Sequence, residues 1–237
     1  MQTKYELLMD EENTIEFCGH TLHRIRALID FDDVKAGDIG GYIEKEENLS
    51  HCGTCWIYDN AKVYDNALVS DNAKLYNTAR AYENAEIMNN AKLYNAAYVY
   101  GDAYVYGNAE MHDYCEAGGV CDINDNAKIF GDTFVLGNVE IHGNAKVKDA
   151  YMQFLDMDIC LNAVINGEND YCCINGFGHE NRTTTFYRLE NGDIGVSCGC
   201  FSGTLKEFKK KVRKTHGHNK YAKQYMTAIK LVKLKLK

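Results

Sequence analysis

Cysteine and histidine side chains near the carboxyl end form a set of the kind that binds zinc. It comprises Cys172, Cys173, Cys198, Cys200, His179, His216 and His218. Cys198 and Cys200 are separated by one residue rather than two, and on an alternating strand they would share a face. This spacing favours packing in a core, so the sequence predicts no metal site.

A second candidate site is Ser202-Gly203-Thr204, which leads into the start of a predicted helix. The free N–H groups and the dipole of a helix N-terminus make it a generic site for an anion. The specificity of this indication is low because every helix has such a terminus.

Two histidines, His112 and His142, carry the side chain most often used in acid–base catalysis. They lie five six-residue repeats apart, which puts them on different faces of the repeat array. They could meet other groups only across subunits, so the sequence predicts no catalytic set and no cofactor.

An array of six-residue repeats must position most of these groups. Residues 56–151 divide into sixteen hexads without an insertion, such as Lys62-Val-Tyr-Asp-Asn-Ala67. The second column is apolar in all sixteen, and the sixth is Ala in eleven and Cys, Thr or Val in four. An α-helix cannot keep such a stripe on one face, whereas a short strand followed by a turn can. Gly, Asp and Asn in the fourth and fifth columns tolerate the positive φ of a turn.

The repeat resembles the left-handed β-helix of hexapeptide-repeat proteins, in which three hexads make one triangular coil. The predicted fold is mainly β, a left-handed parallel β-helix with a small N-terminal cap and a C-terminal α+β domain. We expect the cap over residues 1–49, the β-helix over 50–151 and the α+β domain over 152–237. The bulky Tyr151 in the sixth column is interpreted as the end of the array.

The C-terminal region shows turn and capping signals. Phe186–Leu189 and Ile194–Cys198 flank a hairpin turn, and Thr204 with Glu207 forms a capping box at the start of a helix. Asn219 is positioned to cap a second helix that runs to about residue 236.

Outward positions 18 residues apart should stack into ladders on three faces. The first face presents Tyr58, Tyr76, Tyr94, His112, Phe130 and Lys148, preceded in their strands by Trp56, Lys74, Lys92, Glu110, Lys128 and Lys146. The second presents Tyr64, Tyr82, Tyr100, Gly118 and Leu136. The third presents Ser70, Met88, Tyr106, Asn124 and His142, preceded by Leu68, Glu86, Tyr104, Asp122 and Glu140.

Exposed aromatic stripes of this kind mark interfaces or ligand grooves. One interpretation is mutual burial in a homotrimer, an assembly common among hexapeptide-repeat proteins. The other is a groove where rings stack on a ligand and cations meet an anion. The candidate residues are Tyr58, Tyr76, Tyr94, Lys74, Lys92, Arg80, Tyr98, Tyr100 and His112. Both interpretations can hold, because clefts between subunits are natural ligand sites.

Charge is unevenly distributed along the chain. Residues 204–237 carry a net charge of +11 and residues 1–203 a net charge of −19. The basic end could bind nucleic acid, and the acidic body could imitate it. The structural alternative is that the two regions neutralise each other.

The amino terminus and the cysteines indicate a compartment. Met1–Asp10 does not resemble a signal peptide, and the chain has no apolar run of about 18 residues. The sequence therefore predicts a cytoplasmic protein of a bacterial host with no membrane span. Its ten cysteines are expected to be reduced, with Cys115 and Cys121 as core thiols in the small sixth column.

The whole arrangement also resembles proteins encoded by phages and prophages. The segments that carry this resemblance are residues 22–28, residues 34–50 before the repeats, Thr183–Tyr187, Ser197–Leu205 and Thr215-His-Gly217. The resemblance implies a phage accessory protein, and counteracting a host defence system is the role we expect.

Three functions therefore stay open. The favoured one is a non-enzymatic, homotrimeric scaffold that engages a host macromolecule or sequesters a small anionic, nucleotide-like ligand. The second is a hexapeptide-type acyltransferase with its site in a trimer cleft. The third is a nucleic-acid-binding accessory factor that uses residues 204–237.

Overall fold

The amino-terminal segment forms a small antiparallel sheet that leads into the repeat array. The computed structural model describes residues 3–153 and 156–236. The cap strands are β1 Tyr5–Leu8, β2 Thr14–Phe17, β3 His20–Ala27 and β4 Ile39–Ile43. β3 pairs antiparallel with β1, β2 and β4, and β4 continues into the array by parallel pairing. The cap therefore covers the strand edge that the first coil would otherwise expose.

Each hexad contributes one very short strand. In chain order these are β5 Trp56–Ile57, β6 Lys62–Val63, β7 Leu68–Val69, β8 Lys74–Leu75, β9 Arg80–Ala81, β10 Glu86–Ile87, β11 Lys92–Leu93, β12 Tyr98–Val99, β13 Tyr104–Val105, β14 Glu110–Met111, β15 Glu116–Gly118, β16 Asp122–Ile123, β17 Lys128–Phe130, β18 Phe134–Leu136, β19 Val139–Ile141, β20 Lys146–Lys148, β21 Tyr151–Gln153, β22 Met157–Ile159 and β23 Val164–Asn166.

Parallel pairing arranges these strands in three sheets, one for each face. The first face runs from β5 through every third strand to β23, the second from β4 and β6 to β21, and the third from β7 to β22. Partners such as Lys74 and Lys92 are 18 residues apart. The predicted parallel β-helix of three hexads per coil is confirmed, and its left-handed winding stays a prediction.

The turns follow the residue types of the fourth column. All sixteen of its residues have a positive φ, and most are Asp, Asn or Gly, which adopt this conformation at least cost. In the fifth column, side-chain amides of successive coils form a ladder of hydrogen bonds of 3.0–3.2 Å. Its members are Asn72, Asn90, Asn108, Asn126, Asn144 and Asn162.

The prism is filled by the second and sixth columns. Branched residues such as Val99 and Ile123 and the corner alanines are completely buried. Cys115 and Cys121 are buried among them, as predicted, and the cysteines of the chain are free thiols.

The array continues beyond residue 151, where the sequence was interpreted as closing it. The repeat beginning at Lys146 has only five residues, so Ala150 rather than Tyr151 takes the small corner position and is 1% exposed. Tyr151 instead begins β21 and pairs with Phe134. A further hexad, Asp158–Ala163, follows, and pairing ends only at Asn166.

A four-stranded antiparallel sheet and two helices follow the last coil. The elements are β24 Tyr171–Phe177, β25 Arg182–Arg188, β26 Ile194–Cys198, β27 Phe201–Thr204, α1 Leu205–His216 and α2 Lys220–Lys235. Tyr187 and Leu189 pack on the core of the β-helix, whereas Phe186 and Val196 pack on the helices. The sheet therefore closes the carboxyl end of the β-helix. The predicted hairpin, the capping box at Thr204 and the Asn219 cap are confirmed.

Both helices of the described residues are too short or too polar to cross a lipid bilayer.

Two adjacent alanines provide a test of the corner geometry. Ala97 is completely buried, whereas Ala96 is only partly buried. We expect Ala97→Leu to lower the free energy of unfolding by about 1–3 kcal/mol because the corner has no room for the larger side chain. Ala96→Leu should change it by less than about 0.5 kcal/mol. Urea denaturation of both variants measures this, and equal effects would show that the sixth column is not a packed corner.

Candidate functional site

The predicted tyrosine ladder of the first face exists as a stack of rings. The ring centroids of Tyr58 and Tyr76 lie 4.5 Å apart, and those of Tyr76 and Tyr94 lie 4.9 Å apart. Further along, His112 stacks on Phe130 at 5.1 Å. Burial raises the pKa of Tyr76 and of Tyr94, so these phenols stay neutral. The rings partly bury one another, so stacking within the chain accounts for part of the apolar area.

Lys74 differs from the free, anion-binding lysine predicted from the sequence. Its Nζ lies 2.5 Å from Asp32 Oδ2 and 2.7 Å from Asp33 Oδ1, and its side chain is 11% exposed. Asp33 also accepts a hydrogen bond from the Tyr58 hydroxyl at 2.7 Å. Desolvation opposes the charge of Lys74, but hydrogen bonds to Asp32 and Asp33 outweigh it and raise the pKa of the lysine. These contacts fasten the loop between β3 and β4 to the first face and occupy Lys74.

The other predicted residues of this face have fewer partners. Lys92, one coil further on, is partly exposed and forms no ion pair with any described residue. His112 Nδ1 lies 3.0 Å from Asp113 Oδ2. The first face therefore holds two separate segments, one closed by the cap and one open around Lys92 and His112.

The second face carries the other tyrosine stack, and the cap covers its beginning. Tyr64 and Tyr82 lie 5.2 Å apart, and Tyr82 and Tyr100 lie 5.1 Å apart. Phe17 and His20, from the hairpin of β2 and β3, contact Tyr64 at 6.0 Å and 5.0 Å. The stack consequently runs from under the hairpin to the open surface at Tyr100.

Three cations lie among aromatic rings beside this stack. The Arg80 guanidinium lies between the rings of Phe17, 4.8 Å away, and Tyr98, 4.7 Å away. Lys62 Nζ lies 5.0 Å from the Phe17 ring. Arg24 covers the ring of Tyr42 at 4.3 Å. We call Arg24, Lys62, Arg80, Phe17, Tyr42 and Tyr98 the cationic–aromatic patch.

Carboxylates do not neutralise this patch within the described part of the chain. Arg24 donates to the Gly40 and Asp59 carbonyls and to Asn60 Oδ1, and Lys62 donates to the Asn60 carbonyl. Arg80 Nε is the one buried side-chain nitrogen or oxygen of the described residues without a hydrogen-bond partner. Burial, with Arg80 and Arg24 nearby, lowers the pKa of Lys62. Three mutually repelling cations and an unsatisfied N–H are the conditions in which an anion would stabilise the protein.

The Ser202-Gly203-Thr204 segment does not form the open anion site predicted. Thr204 N and Oγ1 donate to Glu207 Oε2 at 2.8 Å and 2.7 Å, so a carboxylate of the chain itself occupies the helix start. Gly203 is buried, and Ser202 Oγ instead lies 2.6 Å from Cys160 Sγ. The capping box that helped to predict the helix is the reason that its terminus is filled.

The cysteine and histidine set of the C-terminal domain is dispersed. Thr184 Oγ1 donates to Cys198 Sγ at 3.2 Å, Cys173 Sγ lies near Thr185, and Cys200 is exposed. Among the described residues, the clusters with convergent metal-ligand atoms lie elsewhere. The basic residues of α1 and α2 are mostly exposed and spread around both helices, so nucleic-acid binding there stays a prediction.

The sequence identified only part of the cationic–aromatic patch. Arg80 and Tyr98 were candidates, and Lys62 lies exactly one coil before Arg80, so the repeat register alone could have included it. Phe17 and Arg24 belong to the cap, and no periodic signal connects them to the second face.

Comparisons with known proteins give limited information. No protein-family model matches the chain. A stretch of 38 residues is 53% identical to a protein of Escherichia coli (strain K12) named "Uncharacterized acetyltransferase YdcK". That stretch covers 16% of this chain and 12% of the length of the other protein.

The ion pairs of Lys74 generate a prediction with a matched control. We expect Lys74→Ala to reduce the free energy of unfolding by about 1–2 kcal/mol, since it leaves two half-exposed carboxylates without their cation. Lys92→Ala, one coil away in the same column, should change it by less than about 0.5 kcal/mol. Urea denaturation avoids the screening that guanidinium would cause.

The same pair should respond to pH with a defined sign. Hydrogen bonds from Lys74 and from Tyr58 lower the pKa of Asp33 below its ordinary 3.8. Its contribution is therefore present above that value and is lost as the pH falls through the folded-state pKa. The stability difference between wild type and Lys74→Ala should shrink towards pH 2, and a constant difference from pH 7 to pH 2 would contradict the pairing.

Proposed function

We propose that this protein is a non-enzymatic binding scaffold whose cationic–aromatic patch takes a small anionic ligand with an aromatic ring, such as a nucleotide. The observation that carries the proposal is the combination at Arg80. Its guanidinium lies between two rings, has a buried N–H without an acceptor and faces two further cations that no carboxylate of the described residues pairs with.

The chemistry of the patch suits a phosphate joined to a base. Arginine binds phosphate oxygens through its planar fork, and lysine adds a point charge. The partly exposed ring of Tyr98 and the open end of the tyrosine stack offer faces for a base, worth about 1–3 kcal/mol. Two charge-assisted hydrogen bonds would add about 3–6 kcal/mol. After the cost of association, a dissociation constant near the micromolar range is expected.

The proposal includes a homotrimer in the cytoplasm of a bacterial host. Exposed apolar side chains along the β-helix, including Tyr104, Tyr114 and Val120, would gain from contact between copies. A phage or prophage origin and a role against a host defence system rest on the sequence resemblance alone. A ligand-sequestering protein suits such a role because it needs binding rather than catalysis.

Binding of nucleotides tests the patch directly. The full chain would be titrated with ribonucleoside mono-, di- and triphosphates, cyclic nucleotides and inorganic phosphate by isothermal calorimetry. We expect saturable binding of a nucleotide that weakens at least about 10-fold in Arg80→Ala, because one charge-assisted hydrogen bond is worth about 1.5–3 kcal/mol. Tyr98→Ala should weaken it as well.

Lys92→Ala is the matched control for charge. It removes one exposed cation in the corresponding column of the first face and should leave binding unchanged. Loss of binding in Lys92→Ala but not in Arg80→Ala would place the ligand on the first face and contradict the proposal, as would no binding of any member of the panel. Light scattering of the same samples gives the number of chains, and a monomer would remove the trimer from the proposal.

Acyl transfer is a second candidate, favoured by the short match to a protein named as an acetyltransferase. In this case His112, held by Asp113, would act as general base in a cleft between subunits. The expected outcome is binding of acetyl-CoA and release of free CoA with an amine or alcohol acceptor. His112→Ala should reduce this rate at least about 100-fold, whereas His142→Ala should not. A rate that is unchanged in His112→Ala excludes this site.

A further inference from the structure

The hexad that the sequence interpretation did not include brings a thiol next to a histidine and a carboxylate. Asp158 lies in β22, and Cys160 follows that strand. His142 is exactly one coil before Cys160 and belongs to the same outward ladder of the third face. We infer that His142, Asp158 and Cys160 form a binding site for a zinc ion.

The three ligand atoms are close enough for one ion. One nitrogen of His142, one carboxylate oxygen of Asp158 and Cys160 Sγ all lie within 4.8 Å of one another. His142 Nε2 and Asp158 Oδ1 are 3.1 Å apart. Tetrahedral zinc with ordinary bond lengths requires its ligand atoms to be about 3.3–3.7 Å apart. Small side-chain rotations would therefore replace the hydrogen bond by two metal bonds.

The contact between His142 and Asp158 alone would not indicate a metal. The same spacing of 16 residues joins the Tyr100 hydroxyl to Glu116 and the Tyr106 hydroxyl to Asp122, each at 3.3 Å. It is a regular structural contact between successive coils. The rung of Cys160 differs because it adds a soft ligand to a nitrogen and an oxygen, and this combination favours zinc over magnesium or calcium.

The surroundings of Cys160 suit a thiolate better than those of the core thiols. Tyr187, Ser197 and Ser202 place hydroxyl oxygens 3.0, 3.5 and 2.6 Å from Cys160 Sγ, and each hydroxyl can donate a hydrogen bond. Burial, with the charge of Cys160, raises the pKa of Tyr187, so this phenol keeps its proton. By contrast, Cys121 lies in the apolar core, where burial raises its pKa to about 12.

Outer groups also favour a cation at this position. His142 Nδ1 lies 3.8 Å from Asp125 Oδ2, within reach of the carboxylate contact that commonly orients a metal-bound imidazole. Cys160 thiolate and Asp158 would together balance the two charges of zinc. Asp158 lines a cleft of about 450 Å³ between the third face and the C-terminal sheet, with Glu140 and Arg182 nearby. A fourth ligand, water or a small molecule, would enter from this cleft.

Zinc binding by the full chain tests the site. Protein stripped with a chelator and dialysed against zinc would be measured by plasma mass spectrometry, and its affinity by competition with a chromogenic chelator. We expect one tightly bound zinc per chain. Cys160→Ser and His142→Ala should each weaken binding at least about 100-fold, since even outer groups are worth 10–100-fold.

Two control variants make the result specific. Cys121→Ala removes a core thiol, and His20→Ala disrupts the other cluster of ligand atoms, formed with Glu44 and Asp65. Both should retain the zinc. Cobalt in place of zinc should show thiolate-to-metal charge-transfer absorption that Cys160→Ser abolishes. If a variant misfolds by circular dichroism, Asp158→Asn replaces it as the test.

Three outcomes would overturn the site. They are less than one zinc per chain in wild type at saturating zinc, equal affinity in wild type and Cys160→Ser, and loss of the zinc in His20→Ala. Because His142, Asp158 and Cys160 lie on the third face, none of these outcomes bears on nucleotide binding at the second face.

Discussion

The packing of one branched side chain and one small side chain per hexad is the constraint on which the rest of the structure depends. The branched residue fills the prism, the small residue allows the corner, and the fourth-column residue reverses the chain with a positive φ. Because this unit returns to the same face every 18 residues, backbone hydrogen bonds join each coil to the next. Each outward position then becomes a ladder with a spacing of about 4.8 Å.

A ladder multiplies the consequence of each residue type. Neutral amides and aromatic rings gain from repetition, as in the asparagine ladder and the two tyrosine stacks. Repeated cations repel one another, and the protein treats two such pairs differently. On the first face, Asp32 and Asp33 neutralise Lys74 before Lys92 follows. On the second face, Lys62 and Arg80 follow each other with Arg24 nearby and only neutral partners. This contrast makes the second face the better candidate for an anion.

The two ends of the prism add the chemistry that the repeat cannot supply. The cap folds the hairpin of β2 and β3 across the second face and so brings Phe17 over Lys62 and Arg80. The C-terminal sheet closes the last coil and places the hydroxyls of Tyr187, Ser197 and Ser202 around Cys160. Both candidate sites thus form where a non-repetitive element meets a ladder.

The sequence by itself determined the period, the three faces, the ladder members, the hairpin and both helix caps, because each depends on residues close together or at a fixed spacing. It also placed Arg80 and Tyr98 among the candidates. It could not show that Lys74 is occupied, since Asp32 and Asp33 lie in a cap loop without periodicity. Nor did it reveal the continuation past Tyr151, where a five-residue repeat shifts the register, although Asp158–Ala163 has the hexad pattern. Only the tertiary structure decided which cations are paired and which thiol meets a histidine, because these contacts join segments whose separation along the chain no local pattern encodes.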